Sequence, residues 1–174
     1  MNAHSDIARI FLALWPSPPE RRALAAWQER LKDMGRVMRP ATLHATLVFL
    51  GGIEVARLEA LLLAAGEVAA RSFELCFDEA RYWGHNHIVY AAPSVVPDAL
   101  LHLVSELEQS LIRHRFNFDQ REYKPHITLL RNAHWTDDPL PEMKPVCWKI
   151  KDFVLVQSQG GVMNYRVLAH FPLL

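Results

Sequence analysis

Two histidines in repeated surroundings carry the chemical interest of this 174-residue chain. His44-Ala45-Thr46-Leu47 and His126-Ile127-Thr128-Leu129 share the pattern His-x-Thr-Leu, and each follows a proline, Pro40 or Pro125. The copies stand 126 − 44 = 82 residues apart, close to half the chain. An imidazole is the side chain best poised both to take and to give a proton near neutral pH. A threonine hydroxyl can donate to an oxygen on which charge develops. Two of each suit phosphodiester cleavage, in which water attacks in line, one group takes its proton and another protonates the leaving oxygen. No metal is required when two imidazoles and several donors share that work. A lone His-x-Thr triplet arises readily by chance, and a lone strand histidine is commonly structural. Two copies half a chain apart favour catalysis over packing.

The elements that must hold these residues are legible from periodicity. Side chains alternate faces along a strand, so residues i and i+2 point the same way. In each copy His and Thr share one face, while Ala45 and Leu47, or Ile127 and Leu129, share the other. Two such strands side by side would gather two imidazoles and two hydroxyls around one small volume. The pattern predicts strands over 7–14, 43–50 (closed by Gly51-Gly52), 73–83, 87–92 and 124–131, with Gly84-His85-Asn86 as a hairpin turn. Two or three more strands follow from residue 146, around a turn at Gly160-Gly161. Helices are expected from Ser17-Pro18-Pro19 to Gly35, over 55–71 and over 97–114, with stripes such as Leu24, Trp27 and Leu31 or Leu100, Leu101, Val104, Leu107 and Leu111. Three prolines keep 132–145 irregular. The class is α+β, with about three helices and seven or more strands.

Composition narrows the partners. The chain is 51% hydrophobic and 22% charged, a globular balance that can bury a core. Nineteen basic residues meet nineteen acidic ones, which excludes a general nucleic-acid coat. Arg113, Arg115, Arg121, Lys124 and Arg131 against Asp119 and Glu122 form a local basic stretch suited to one phosphate or a short strand end; a solvated surface is the plain alternative. Cys76 and Cys147 form no CxxC pair and no metal spacing, so buried free thiols in a reducing cytoplasm are expected, with a disulfide between the two as the lesser alternative. The N-terminus lacks the basic region and cleavage site of a signal peptide, and no segment has the ~18 apolar residues a membrane span needs. A soluble cytoplasmic protein is expected. His85 and His87 could bind a metal, but no third ligand is evident, and a solvated turn is the simpler reading. His102 and Glu106 lack the partners of an HExxH site. His4, His114, His134 and His170 have no recurring context. Trp15, Trp83 and Trp135 could stack on a terminal base or simply pack.

The paired motifs resemble the 2H phosphoesterase superfamily. Within it the chain is most similar to the bacterial RNA 2′,3′-cyclic phosphodiesterases, also called 2′-5′ RNA ligases (LigT-like). FLAL near the start, LHATLVFLGGI, YKPHITLLR and the ending LVQSQGGVMNYRVLAHFPL carry the likeness almost end to end. The resemblance implies one bilobal domain over 1–174: two pseudo-symmetric lobes, each an antiparallel sheet with helices packed outside, and a central cleft. It implies that His44 is the proton donor and His126 the proton acceptor, that Thr46 and Thr128 hold phosphate oxygens, and that Arg131 adds a phosphate contact. The implied substrate is an RNA 3′ end bearing a 2′,3′-cyclic phosphate, tRNA fragments among them. It is opened to a 2′-phosphomonoester without metal or cofactor, and the ligase-like reversal is secondary. A monomer with no membrane partner is expected. The rival readings are a 2H enzyme for another cyclic or 2′-5′-linked nucleotide, a non-catalytic RNA-end binder, and a metal-dependent hydrolase built on His85 and His87.

Overall fold

The computed structural model describes residues 6–135, 139–160 and 164–174. His4 and Gly161, both named above, lie outside these residues. Ten strands and three helices are present among the described residues. In chain order they are β1 (Ile7–Leu14), α1 (Pro18–Leu31), β2 (Arg36–Val37), β3 (Ala45–Glu54), α2 (Leu58–Gly66), β4 (Phe73–Phe77), β5 (Glu79–Trp83), β6 (Ile88–Ala92), α3 (Asp98–Arg113), β7 (Ile127–Arg131), β8 (Val146–Ile150), β9 (Asp152–Gln159) and β10 (Asn164–Pro172).

The α+β architecture has two lobes. One four-stranded sheet runs β10-β9-β1-β3 and the other β2-β7-β6-β5, with every pairing antiparallel. Each sheet buries one face in the main core, where Ile10, Leu12, Leu47, Val89, Leu129 and Leu155 meet residues of all three helices. The opposite face of each carries a small apolar cluster of its own. Phe11, Ala13, Val154 and Val156 form it on the first sheet, and Ile88, Tyr90 and Ala92 on the second.

The helices cross between lobes. α1 follows β1 of the first sheet yet packs on β7 of the second and on β8, while α3 connects β6 to β7 yet packs on α2 and β3. Buried Gln28 ties α1 to the second sheet by donating to the carbonyls of Met38 and Leu129, at 2.8 and 3.0 Å. Ser110, fully buried on α3, donates to the Ala64 carbonyl of α2 at 2.6 Å. Such bonds satisfy groups that would each cost about 1–3 kcal/mol if left unpaired in the core.

Several expected boundaries move. β3 does not close at Gly51-Gly52 but runs through them to Glu54, because Gly51 adopts φ 75° at a bulge where Leu50 has no partner on β1. The helix expected over 55–71 shrinks to a 3-10 turn and α2, because Ala70 and Ser72 instead pair with Leu174 at the C-terminus. The strand expected over 73–83 breaks at Asp78, whose carboxylate accepts from Ser94, so β4 and β5 join different sheets. On α3 the buried stripe includes Leu103, whereas Leu101 is exposed. α1 ends at Leu31 and a 3-10 turn carries the chain to Gly35. A Cβ on Gly35 would stand 2.8 Å from the Ala133 backbone, a close approach that only glycine allows.

The cysteines are the clearest correction. Cys76 and Cys147 are not free buried thiols: they form a disulfide, and Cys147 is exposed. β4 and β8 pair as a separate two-stranded ribbon whose register sets Cys76 directly opposite Cys147. Seventy-one positions of sequence hide this adjacency, which depends on long-range strand pairing. The ribbon stands where the chain passes from α2 of the first lobe to β5 of the second, and back from β7 to β9.

Candidate active site between the lobes

The two His-x-Thr segments do not pair as neighbours in one sheet. β3 is an edge strand of the first sheet, β7 an interior strand of the second, and they approach each other across the cleft. His44 and His126 each stand one residue ahead of their strand. In both, Nδ1 lies 2.7 Å from the carbonyl oxygen two residues earlier, that of Thr42 or Lys124. A carbonyl only accepts, so Nδ1 carries the hydrogen and Nε2 is left free for chemistry.

A second device repeats. Each strand has a bulge at the leucine of its motif, so that Leu47 lacks a partner on β1 and Leu129 lacks one on β6. The extra residue lets two consecutive apolar side chains, Leu47-Val48 or Leu129-Leu130, turn to the core. The sixth residue counted from each histidine then returns to the cleft face. It is Phe49 in the first copy and Arg131 in the second.

The resulting cavity, about 310 Å³, is lined by His44, Thr46, His126, Thr128 and Arg131, the five residues the sequence singles out. Arg9, Phe11, Met38, Thr42, Phe49, Ser158 and Tyr165 complete the wall. A groove of about 670 Å³ continues from His126, Thr128 and Arg131 past Trp83, His85, Tyr123 and Lys124. Arg121 lines this groove too, whereas Arg113 and Arg115 line neither the groove nor the cavity. Arg121 is held by Asp119 and Arg113 faces Glu67 at 3.9 Å. The Arg131 Nε is buried without a hydrogen-bond partner among the described residues.

Aromatic rings jacket both imidazoles. Phe11, Tyr165 and Trp15 surround His44 at 4.8, 5.1 and 5.8 Å between ring centroids. Trp83 and Tyr90 meet His126 edge-on at 4.8 and 5.7 Å. Trp15 and Trp83 therefore pack on the motif histidines, and Trp135 lies away from the cavity wall. Burial among these rings pushes His44 down to about 4; the bond to the Thr42 carbonyl opposes this, while His126, Arg21 and Arg131 push the same way. His126 is also lowered, first by burial and then by Arg131, against the Lys124 carbonyl. Because a charge on one imidazole disfavours a charge on the other, the pair holds at most one proton easily.

Behind His44 stands Arg21, at the start of α1. Its Nη1 donates to the carbonyls of Pro40 and Leu43 at 2.6 and 2.8 Å, and its Nε to that of Pro16 at 2.9 Å. Its Cζ lies 4.9 Å from the Trp15 ring that stacks on His44. The fork fixes the turn whose Thr42 carbonyl orients the imidazole.

The remaining histidines lie elsewhere. His85 and His87 are exposed on the β5–β6 hairpin; His87 has φ 55° and contacts the Tyr82 hydroxyl at 3.1 Å. His114 pairs with Glu67 and His170 with Asp152. His102 is on the exposed side of α3, and His134 lies 6.2 Å from the His87 ring. No group of three His, Cys, Asp or Glu among the described residues could hold a metal ion. Nor is any described helix long and apolar enough to cross a membrane.

Sequence reasoning missed Arg9, Phe49 and Thr42 as cavity residues. Arg9 had a visible signal, a lone cation interrupting the apolar run of β1. Phe49 needed the bulge, for which the doublet Leu47-Val48 within an alternating strand was the only cue.

Two His-x-Thr segments, delivered by two sheets to one cleft, define a phosphoesterase of the two-histidine class. The chain belongs to the family described as LigT like Phosphoesterase, which it matches twice, over residues 14–90 and 91–163. It is 30% identical over 131 residues, 74% of each chain, to an Escherichia coli (strain K12) protein named RNA 2′,3′-cyclic phosphodiesterase. It superimposes on E. coli LigT complexed with 3′-AMP with TM-score 0.87 and 26% identity, covering 97% of this chain and 99% of that one. A Thermus thermophilus structure shares the fold, with TM-score 0.76, 24% identity and coverage of 94% and 97%.

Proposed function

We propose that this protein opens the 2′,3′-cyclic phosphate at an RNA 3′ end to a 2′-phosphomonoester. The observation that carries the reading is the pair of imidazoles, each anchored through Nδ1 to a carbonyl two residues back and free at Nε2. The E. coli relative's name supports the substrate class. Water attacks phosphorus opposite the 3′ oxygen, and His126 Nε2 takes its proton. The P–O3′ bond breaks, and His44 gives its proton to the departing 3′ oxygen. Thr46 and Thr128 donate to the non-bridging oxygens, and Arg131, which lines the same cavity, sets a guanidinium charge beside the growing negative charge.

His44 holds its proton reluctantly in the free protein, so the donor must be charged by the anion it serves. A bound phosphate supplies that stabilisation and favours one proton on the pair. With both imidazoles shifted downward, kcat/KM traces a bell centred on the acid side of 6.5. In this reading the whole of 1–174 acts as one domain and as a cytoplasmic monomer on RNA ends such as tRNA fragments. The cytoplasmic assignment rests on the substrate, since the cysteines no longer argue for it. The reverse reaction, joining ends through a 2′-5′ bond, uses the same groups and is secondary.

The test is hydrolysis of a short RNA ending in a 2′,3′-cyclic phosphate, in excess chelator, by the wild type, His44→Ala and His126→Ala. Rapid formation of a 2′-phosphate by the wild type, with each variant slower by about 10³-fold, is expected. No turnover by the wild type would transfer the site to another substrate. Activity lost to chelator would remove the metal-free scheme.

A further inference from the structure

The repeated motif ends differently in the two lobes, and the difference points to a residue on β1. At the sixth position the second lobe places Arg131 on the cleft face, and the first lobe places Phe49 there. The first lobe nonetheless presents a guanidinium at the corresponding place. Arg9 of β1 lies over Phe49, its Cζ 5.0 Å from the ring centroid, and lines the same cavity. The ring's negative face attracts and holds the cation. The cleft is thus flanked by two guanidiniums, one carried directly by its strand and one seated on an aromatic residue.

The two cations differ in depth. Arg131 is half-buried beside both histidines, with a buried Nε that has no partner among the described residues. Arg9 is exposed at the rim, makes no ion pair with any described carboxylate, and faces Ser158 across the β1–β9 pairing. A cation at the rim meets a charge that stays in solvent while the reacting phosphorus is enclosed. In an RNA end that charge is the neighbouring phosphodiester. The outer groove serves it less well, because Glu108, Asp119 and Glu122 there balance Arg121, Lys124 and Arg131, and Arg121 is already held by Asp119.

We propose that Arg9, held on Phe49, is the subsite for a second phosphate, the diester next to the reacting end, and so selects an RNA strand over a mononucleotide. This inference rests on the proposed cyclic-phosphate reaction and deepens it. The measured quantity is the ratio of kcat/KM for a dinucleotide ending in a 2′,3′-cyclic phosphate to that for adenosine 2′,3′-cyclic phosphate. Arg9→Gln should lower the ratio about tenfold and flatten the salt dependence of the dinucleotide KM by about one phosphate contact, as expected when one cation-to-phosphate contact is lost. Phe49→Leu, which keeps Arg9 but removes its platform, should lower the ratio by a smaller factor in the same direction. Arg9→Lys should keep most of the salt dependence. A ratio unchanged in Arg9→Gln, whether both substrates slow equally or neither does, would overturn the subsite. Wild type that opens neither compound would overturn the reaction itself, a separate failure with a separate signature.

Discussion

The first and second lobes use the same four-residue motif, anchor the histidine through the same backbone bond, and insert a bulge at the same leucine. What surrounds the motif differs. His44 is boxed by three rings, and its anchoring carbonyl belongs to a turn clamped by Arg21. His126 meets two rings, and its anchoring carbonyl, that of Lys124, lies on an irregular segment with no such clamp among the described residues. A repeated motif therefore fixes which atoms can react, while the unrepeated surroundings fix how readily each imidazole holds a proton. Division of labour between two identical side chains is a property of the walls.

Substitutions that treat the lobes alike or unlike can break this comparison. The largest effects outside the histidines should come from Thr46→Val and Thr128→Val. Each removes one donor to a charged oxygen, and each should cost about 10- to 100-fold in kcat. Similar losses would show that the lobes are equivalent at the phosphate; one silent variant would show that they are not.

A smaller effect separates charge from position at His44. Arg21→Gln loses both the fork and the cation, and Arg21→Lys loses only the fork. Both should lower kcat about tenfold, the cost of a lost charge-assisted hydrogen bond. Arg21 is one of the charges that push His44 down, with His126 and Arg131 beside it and Tyr165 facing from β10. Removing that charge raises the His44 pKa, so the limb of the kcat/KM profile that His44 sets should move to higher pH in Arg21→Gln and stay in place in Arg21→Lys. Parallel profiles for the two variants would reduce Arg21 to a structural clamp.

The smallest effect on catalysis should come from opening the disulfide, because no residue of the β4–β8 ribbon lines the cavity or the groove. Reduction should leave kcat/KM within about twofold. It should lower unfolding free energy by up to about 4 kcal/mol, from the loop-entropy relation for a closure of this length. Urea titrations with and without a thiol reductant measure it.

That both histidines and both threonines would line one cavity was legible because their signal is local: a short pattern, repeated, on alternating strands; Arg131 stood outside the repeat and was marked by the basic stretch and the family resemblance. The three helices were legible for the same reason, since their stripes repeat every third or fourth residue. What was not legible depends on pairing across the fold. Whether β3 and β7 share a sheet, where 73–83 breaks, and which cysteine faces which are all decided by strand partners far away in sequence. Arg9 is intermediate. Its charge was visible within an apolar strand, but its position over Phe49 required the register of β1 against a bulged β3.

The bridge between Cys76 and Cys147 closes the intervening chain into a covalent ring. His126 lies inside that ring and His44 outside it. A protease that cuts any one peptide bond within the ring leaves a single molecule whose mass rises by one water. Its fragments part on a gel only after reduction. Nicked in the second lobe and still oxidised, the protein keeps both histidines on one covalent framework, so an exposed loop such as the β5–β6 hairpin can be severed without setting either half of the site free.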